Sequence, residues 1–463
     1  MATLILFGVF IVFILIGVPI GFAIGAATVV AWIANTNIPL VTIVQQSVTG
    51  VDSFPLMAIP FFMLAGNLMS TGGVARRIIH FCNHLIGSIT GGLSLVTTAA
   101  CMFFAAISGS AVATTSGIGS FMIPEMEKEG YDRGFAASIA AAAGSIGVII
   151  PPSIPFVIYA VTVNQSTGDL FIAGVIPGIL MGIALMIACY VISRKRHYHG
   201  SGMGISFKEF RAARRAHKLA GEPLPGAANA AKLSFGEAWR QSGMTKKFKE
   251  LGKAFIDAFW ALLMPVIILG GIYSGVFTPT ESAVIAVVYC VIISTFVYRE
   301  MKWKDLYRGL FDTTIVNGVT TFMVGLSMAF ATYLNMMQVP SQLAAALMDF
   351  TDSPFVMFLT LNILLLLLGT LIDNIPATII LSPLLLPVVV QYGMDPITFG
   401  VVLTMNLAIG FCTPPYGIDL FVAQAIANIS MGEMMRTMLI FIGSLIVVLL
   451  LTTFVPWLTL CLL

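Results

Sequence analysis

The chain runs to 463 residues, of which 58% are hydrophobic and 10% charged, with a formal net charge of +2. An ordinary soluble domain carries about 25% charged residues, so most of this surface faces lipid, and so even a charge balance offers nothing to nucleic acid. Continuously apolar segments argue against a β-barrel, whose strands alternate, and no G-x-x-x-x-G-K-[ST] sequence is present for nucleotide-driven work.

The N-terminal MATLILFGVFIVFILIGVPIG lacks the basic region and cleavage site of a signal peptide and is expected to be retained. Residues 4–34 make either one long helix or two hinged at Gly17-Val18-Pro19. Further along, 53–75, 78–124, 134–168, 170–193, 258–280, 353–372, 374–394 and 437–463 hold no Asp, Glu, Lys or Arg, and a spanning helix needs about 20 such residues. Basic residues in short loops mark the cytoplasmic side. Putting Arg76/Arg77, Lys128/Arg133, Arg299 through Arg308 and Arg436 there sends 54–70 and 170–193 inward. The helices 257–276, 309–333 and 438–460 then run outward and 281–297 inward, with 334–354 an outer connection. On this parity 4–34 is one helix. Regions 93–133 and 355–396 each begin and end on one side, so each enters the membrane and turns back, the first opening inward and the second outward. Segment 194–256 holds 14 of the 23 Lys and Arg residues. It reads as a basic cytoplasmic connector, with amphipathic helices at 207–219 and 246–255 lying among the headgroups. The six cysteines sit mostly in apolar runs without paired spacing and read as packing residues.

An internal repeat supports this threading. FFMLAGNLM at 61–69 resembles FMVGLSMAF at 322–330, and GVPIGFAIG at 17–25 stands where GVFTPTESA stands at 275–283. SGSAVATTSGIG at 108–119 corresponds to DNIPATIILSPL at 373–384, and IGVIIPPSI at 146–154 to IGFCTPPYG at 409–417. The offsets of 261, 258, 265 and 263 residues stay in register, and they favour two N-terminal helices. The fold class expected is therefore an all-α polytopic membrane protein of about 11–12 transmembrane segments plus two re-entrant hairpins, arranged as an inverted repeat. Its parts are residues 1–193, with scaffold 1–80 and hairpin plus broken helix 93–165; the connector 194–256; and 257–463, with scaffold 257–350, hairpin plus broken helix 355–430 and a last helix 438–460.

Chemistry is expected at the matched breaks. Proline cannot continue a helix through its own position, so Gly147 with Pro151-Pro152 unwinds the chain at membrane depth, and irregular backbone survives there only inside protein or along a polar cavity. Freed carbonyls and hydroxyls are hard ligands that suit a small cation such as Na⁺. The helix starts at Ser110–Thr115 and Asn374–Thr378 offer N–H groups to an anion. Asp373 is either a helix cap or a site acid. Thr278-Pro279-Thr280-Glu281 is a capping box, and Asp52 and Asp169 read as caps. Asp419 is undecided, and Asn67 either bonds a neighbouring helix or faces substrate. His80 and His84 are read as interfacial.

PFFMLAGNLM, SGSAVAT, the IPPS element, GVFTPTESA, DNIPATIILSP and TPPYG, in this order, resemble the large membrane subunit of tripartite ATP-independent periplasmic (TRAP) transporters. The resemblance covers nearly all the chain outside 194–250. It implies a non-enzymatic, multi-pass protein of the bacterial inner membrane: an elevator-type secondary transporter, sodium-driven, that imports a small organic anion such as a carboxylate or sulfonate. Na⁺ would be the coupling ion, with no organic cofactor. The implied partners are a small four-helix membrane subunit, expected as a separate chain, a periplasmic binding protein, and membrane lipids. Carried over by motif, one sodium site comprises Ala105, Ser108, Gly147, Ile150 and Pro152. The repeat then gives a companion of Thr370, Asp373, Gly410, Thr413 and Pro415. Substrate would lie near Ser110, Thr114, Asn374 and Thr378, with Asn67 facing it. Two other readings stay open: a stand-alone sodium/anion symporter without a binding protein, and a non-transport subunit of a membrane complex.

Overall fold

The computed structural model describes residues 2–35, 39–200, 244–348, 351–415 and 417–463, and every regular element among them is helical. The chain opens with two helices, Ala2–Leu15 and Ile20–Asn35, packed on each other. Between them Gly17 takes φ +84°, a left-handed conformation open to glycine at little cost, and Pro19 follows. The repeat's prediction of two helices holds here, and the charge parity that asked for one does not.

The second repeat has the same plan. Met244–Tyr273 and Pro279–Ile292 correspond to the first pair, and Trp303–Met336 to Val41–Val51 plus Ala58–Thr71. Ile20–Asn35 packs on Trp303–Met336, while its counterpart Pro279–Ile292 packs on Ala58–Thr71. The scaffold is thus built of matched, reciprocal contacts. Each half also carries an arm helix, Val74–Ile86 and Val339–Met348, the second within the stretch expected to be an outer connection. In the first arm Val74, Ala75, Ile78 and Cys82 are buried; Arg77 pairs with Asp257 and Glu300 and lies 3.8 Å over the Tyr298 ring.

The connector differs from expectation at its end. Residues 246–255 do not form a separate surface helix; they are the first turns of Met244–Tyr273. Ala254, Ala258, Ala261, Met264 and Ile268 are all buried, so one helical stripe continues from the basic part into the apolar part without a breaker. The helix expected at 207–219 lies outside the described residues. The last helix starts earlier than expected, at Met431, behind a capping box of Ser430 and Glu433, and ends at Phe454 before Pro456. Thr278 and Glu281 form the capping box read from sequence. Asp52 instead closes Val41–Val51, and the cap near Asp169 is Ser166, whose hydroxyl accepts the Asp169 N–H at 3.2 Å.

Two hairpins enter the body: Gly92–Ser108 with Ala111–Lys128, and Pro354–Gly369 with Asn374–Gln391. Their open ends face opposite ways along Thr167–Lys195. Beyond its C-terminal end Arg196 meets Asp132, at the mouth of the first hairpin, at 3.4 Å. Just before its start, the Tyr159 hydroxyl donates to the Pro396 carbonyl, past the mouth of the second, at 2.6 Å. Each hairpin is followed by a broken helix, Arg133–Gly144 then Ile154–Val163, and Pro396–Gly410 then Ile418–Ala427. Packing here is exchanged: Ala111–Lys128 lies on Ile418–Ala427, and Asn374–Gln391 on Ile154–Val163. Among the described residues seven helices are long and apolar enough to cross a membrane, but one of them, Asn374–Gln391, is a hairpin leg.

Candidate functional site: the hairpin tips and helix breaks

At the first tip Gly109 turns the chain at φ +63° and Ser110 caps the next helix, its hydroxyl accepting the Ala113 N–H at 3.4 Å. The tip is pressed on the break. A Cβ at Gly109 would stand 2.8 Å from the Pro152 carbonyl oxygen, and the Gly109 carbonyl accepts the Ile154 N–H at 3.3 Å. The Thr114 hydroxyl donates to the Ser110 carbonyl at 2.7 Å and lies 3.0 Å from Ser108 Oγ. A Cβ at Gly147 would fall 2.6 Å from both the Ser110 oxygen and Thr114 Oγ1. Glycine is what lets backbone from two elements approach so closely. Ser108, Gly147 and Pro152 are therefore brought together. The Ala105 carbonyl is engaged by the Gly109 N–H at 3.3 Å, and Ile150 packs on Gly178. The Pro151-Pro152 and Pro414-Pro415 bonds are both cis.

The second tip is built likewise. Asp373 is the helix cap, with Oδ1 accepting the Asn374 N–H at 2.7 Å, and it also lines the central cavity. The Thr378 hydroxyl donates to Asn374 Oδ1 at 3.0 Å. A Cβ at Gly410 would run into the Gly369 backbone, which sets Thr370 against the second break. The Thr413 hydroxyl donates to the Ile409 carbonyl at 2.8 Å, and Pro415 is exposed.

Between the tips and the scaffold lies a cavity of about 500 Å³. Ser110 and Asn374 line it from the tips, Val148 and Phe411 from the breaks, and Asn67 from Ala58–Thr71. Thr114 and Thr378 are fully buried and sit behind the tips, so they shape the wall where sequence placed them against substrate. Ser70, Thr313 and Thr320 also line the cavity and were not singled out from sequence. Ser70 follows Asn67 at i+3, and Thr320 follows Thr313 at i+7, so each pair shares a helix face. That spacing was the available signal. Among the described residues the lining holds Asp312 and Asp373 and no Lys, Arg or His, leaving N–H groups and hydroxyls to meet an anion. No group of three or more His, Cys, Asp or Glu gathers among the described residues.

Residues 7–458 match the family described as Tripartite ATP-independent periplasmic transporter, DctM component. The isethionate TRAP transporter permease protein DctMQ of Oleidesulfovibrio alaskensis is 39% identical over 98% of this chain, which spans 65% of that protein's length. The C4-dicarboxylate TRAP transporter large permease protein DctM of Pseudomonas aeruginosa is 36% identical, over 89% of this chain and 86% of its own. The sialic acid TRAP transporter permease protein SiaT of Haemophilus influenzae is 35% identical over 97% of this chain and 66% of its own. In fold, the chain is similar to the YdaH transporter of Alcanivorax borkumensis, with a TM-score of 0.59 at 14% identity over 90% of this chain and 87% of that one.

Proposed function

The chain belongs to the tripartite ATP-independent periplasmic transporter family as its DctM component, and from that premise we propose that it imports a small organic anion by sodium-coupled secondary transport across the bacterial inner membrane. The anion, a carboxylate or sulfonate, is handed over by a periplasmic binding protein, and a small membrane subunit completes the assembly. The relatives are named for isethionate, C4-dicarboxylate and sialic acid, all of them acids. The observation that carries the proposal is the pair of glycine-mediated contacts, Ser110/Gly147 and Gly369/Gly410, on either side of one cavity.

Sodium held at these contacts by hydroxyl and carbonyl oxygens fixes the tips, and the anion docks on the N–H groups beyond Ser110 and Asp373. Since the cavity wall carries acids and no bases, bound sodium supplies the positive charge that an anion needs there. Substrate and ions therefore cross together. The hairpins and broken helices move as one body against the scaffold, because their packing is exchanged between repeats. The lining residues Asp312 and Ser70, near in sequence to Arg308 and Arg76, support a cavity mouth on the side that is cytoplasmic by charge.

The test is uptake of labelled isethionate, succinate and sialic acid into proteoliposomes containing the chain with its small subunit. Uptake is expected only with the cognate binding protein and an inward Na⁺ gradient. Equal uptake without sodium would overturn the coupling, and equal uptake without the binding protein would overturn the delivery.

A further inference from the structure

The Asp419 carboxyl is wholly buried, and neither of its oxygens has a hydrogen-bond partner among the described residues. Thr115 Oγ1, beside it, is likewise buried and unpartnered. Asp419 stands in the first turn of Ile418–Ala427 and Thr115 on Ala111–Lys128, the two helices that pack across the repeats. The backbone of the first broken helix closes another side, since a Cβ at Gly144 would collide with Thr115 Oγ1. Two thiols, Cys101 and Cys412, also lie near it, and the Cys412 Sγ–H is given to the Ala141 carbonyl at 3.5 Å. The nearby charged group, Asp373, has the same sign.

A carboxylate so placed, facing one hydroxyl and no base, is costly inside a membrane protein, and that hydroxyl, which reaches no partner at full hydrogen-bond distance, adds to the cost. A bound cation relieves both. Carboxylate and hydroxyl oxygens are hard ligands that favour an alkali ion over a soft metal. We propose that Asp419 and Thr115 hold a sodium ion at a third site, on the joint between the repeats and apart from the contacts at Ser110/Gly147 and Gly369/Gly410. Loaded, it ties the first hairpin to the second broken helix, so ion occupancy reaches the element that must move as a body. This inference rests on the sodium-coupled reading given above.

Equilibrium binding of radioactive Na⁺ to the purified chain with its small subunit tests it without transport. The wild type is expected to bind one more ion than Asp419→Asn, which keeps the side-chain volume. Thr115→Val, which keeps the charge, is expected to weaken one site about tenfold without changing the count at saturation. An unchanged count in Asp419→Asn would overturn the proposal, including the case in which that variant alters only the pH dependence of uptake. Should Asp419→Asn not fold, unchanged affinity in Thr115→Val would overturn it instead. A wild type that binds no sodium at all refutes the coupling reading itself, whereas binding unaltered by both variants refutes only the third site.

Discussion

Replacing Gly147 with alanine adds one methyl group where the tip and the break meet. The new Cβ would lie 2.6 Å from the Ser110 carbonyl oxygen and 2.6 Å from Thr114 Oγ1, against 3.4 Å for ordinary contact, so the tip must retreat by about 0.8 Å. The Ser110 oxygen is backbone and cannot turn aside alone. Overpacking of this kind costs about 1–3 kcal/mol. If sodium binding must restore the contact, that cost appears as a roughly 5- to 150-fold loss of apparent sodium affinity, at about 1.4 kcal/mol per tenfold. The assay is the sodium concentration giving half-maximal uptake in proteoliposomes, with membrane insertion checked by protein recovery and monodispersity. Gly252→Ala is the control, because nothing lies within 4 Å of its Cβ. A Gly147→Ala protein that inserts normally and shows sodium dependence within about twofold of wild type would refute the assignment of an ion to this contact.

Two further outcomes follow from the arm helix Val74–Ile86. Arg77→Lys loses the guanidinium fork that reaches Asp257, Glu300 and the Gly73 carbonyl at 3.2, 2.8 and 3.0 Å, together with the stack on Tyr298. A drop of about 1–2 kcal/mol in unfolding free energy is expected, and denaturant titration showing none would discount the pairing. Burial, and next the neighbouring His84, hold the His80 imidazole below its ordinary value of 6.5, while Asp257 opposes them. The unfolded chain then binds the proton more readily, so this contribution is complete above pH 6.5 and is lost as the pH falls from there toward the lowered folded value. Thermal unfolding at pH 7.5 and 5.5 is expected to fall more steeply in wild type than in His80→Gln; equal slopes would count against it.

Much of this architecture was legible because the membrane makes sequence plain. Charge-free length marks the segments, and paired glycines and prolines mark where they stop. The match of IGVIIPPSI to IGFCTPPYG located both breaks. Which face a residue presents is harder to read in a helix apolar all round. Thr114 and Thr378 sit one turn beyond the tip residues and look equally available from sequence, yet both turn into the wall while Ser110 and Asn374 face the cavity. The basic stretch at 246–255 resembled a surface helix because its charges end where the apolar span begins, and only the continuous alanine stripe shows that one helix serves both. Asp419 stayed undecided because its isolation arises between elements some 300 residues apart in sequence, as the distance from Thr115 to Asp419 shows (419 − 115 = 304).

The exchanged packing also sets a timetable for biogenesis. Ala111–Lys128 leaves the ribosome 290 residues (418 − 128) ahead of Ile418–Ala427, the helix it must lie on. At about 5–20 residues per second that is roughly 15–60 s in the membrane with Thr115 and the tip hydroxyls uncovered. The Ile154–Val163 segment waits in the same way for Asn374–Gln391. Neither repeat is a finished folding unit on leaving the insertion machinery, so the nascent first half depends on lipid, insertase or partner subunit to shelter its polar tip until the second half arrives.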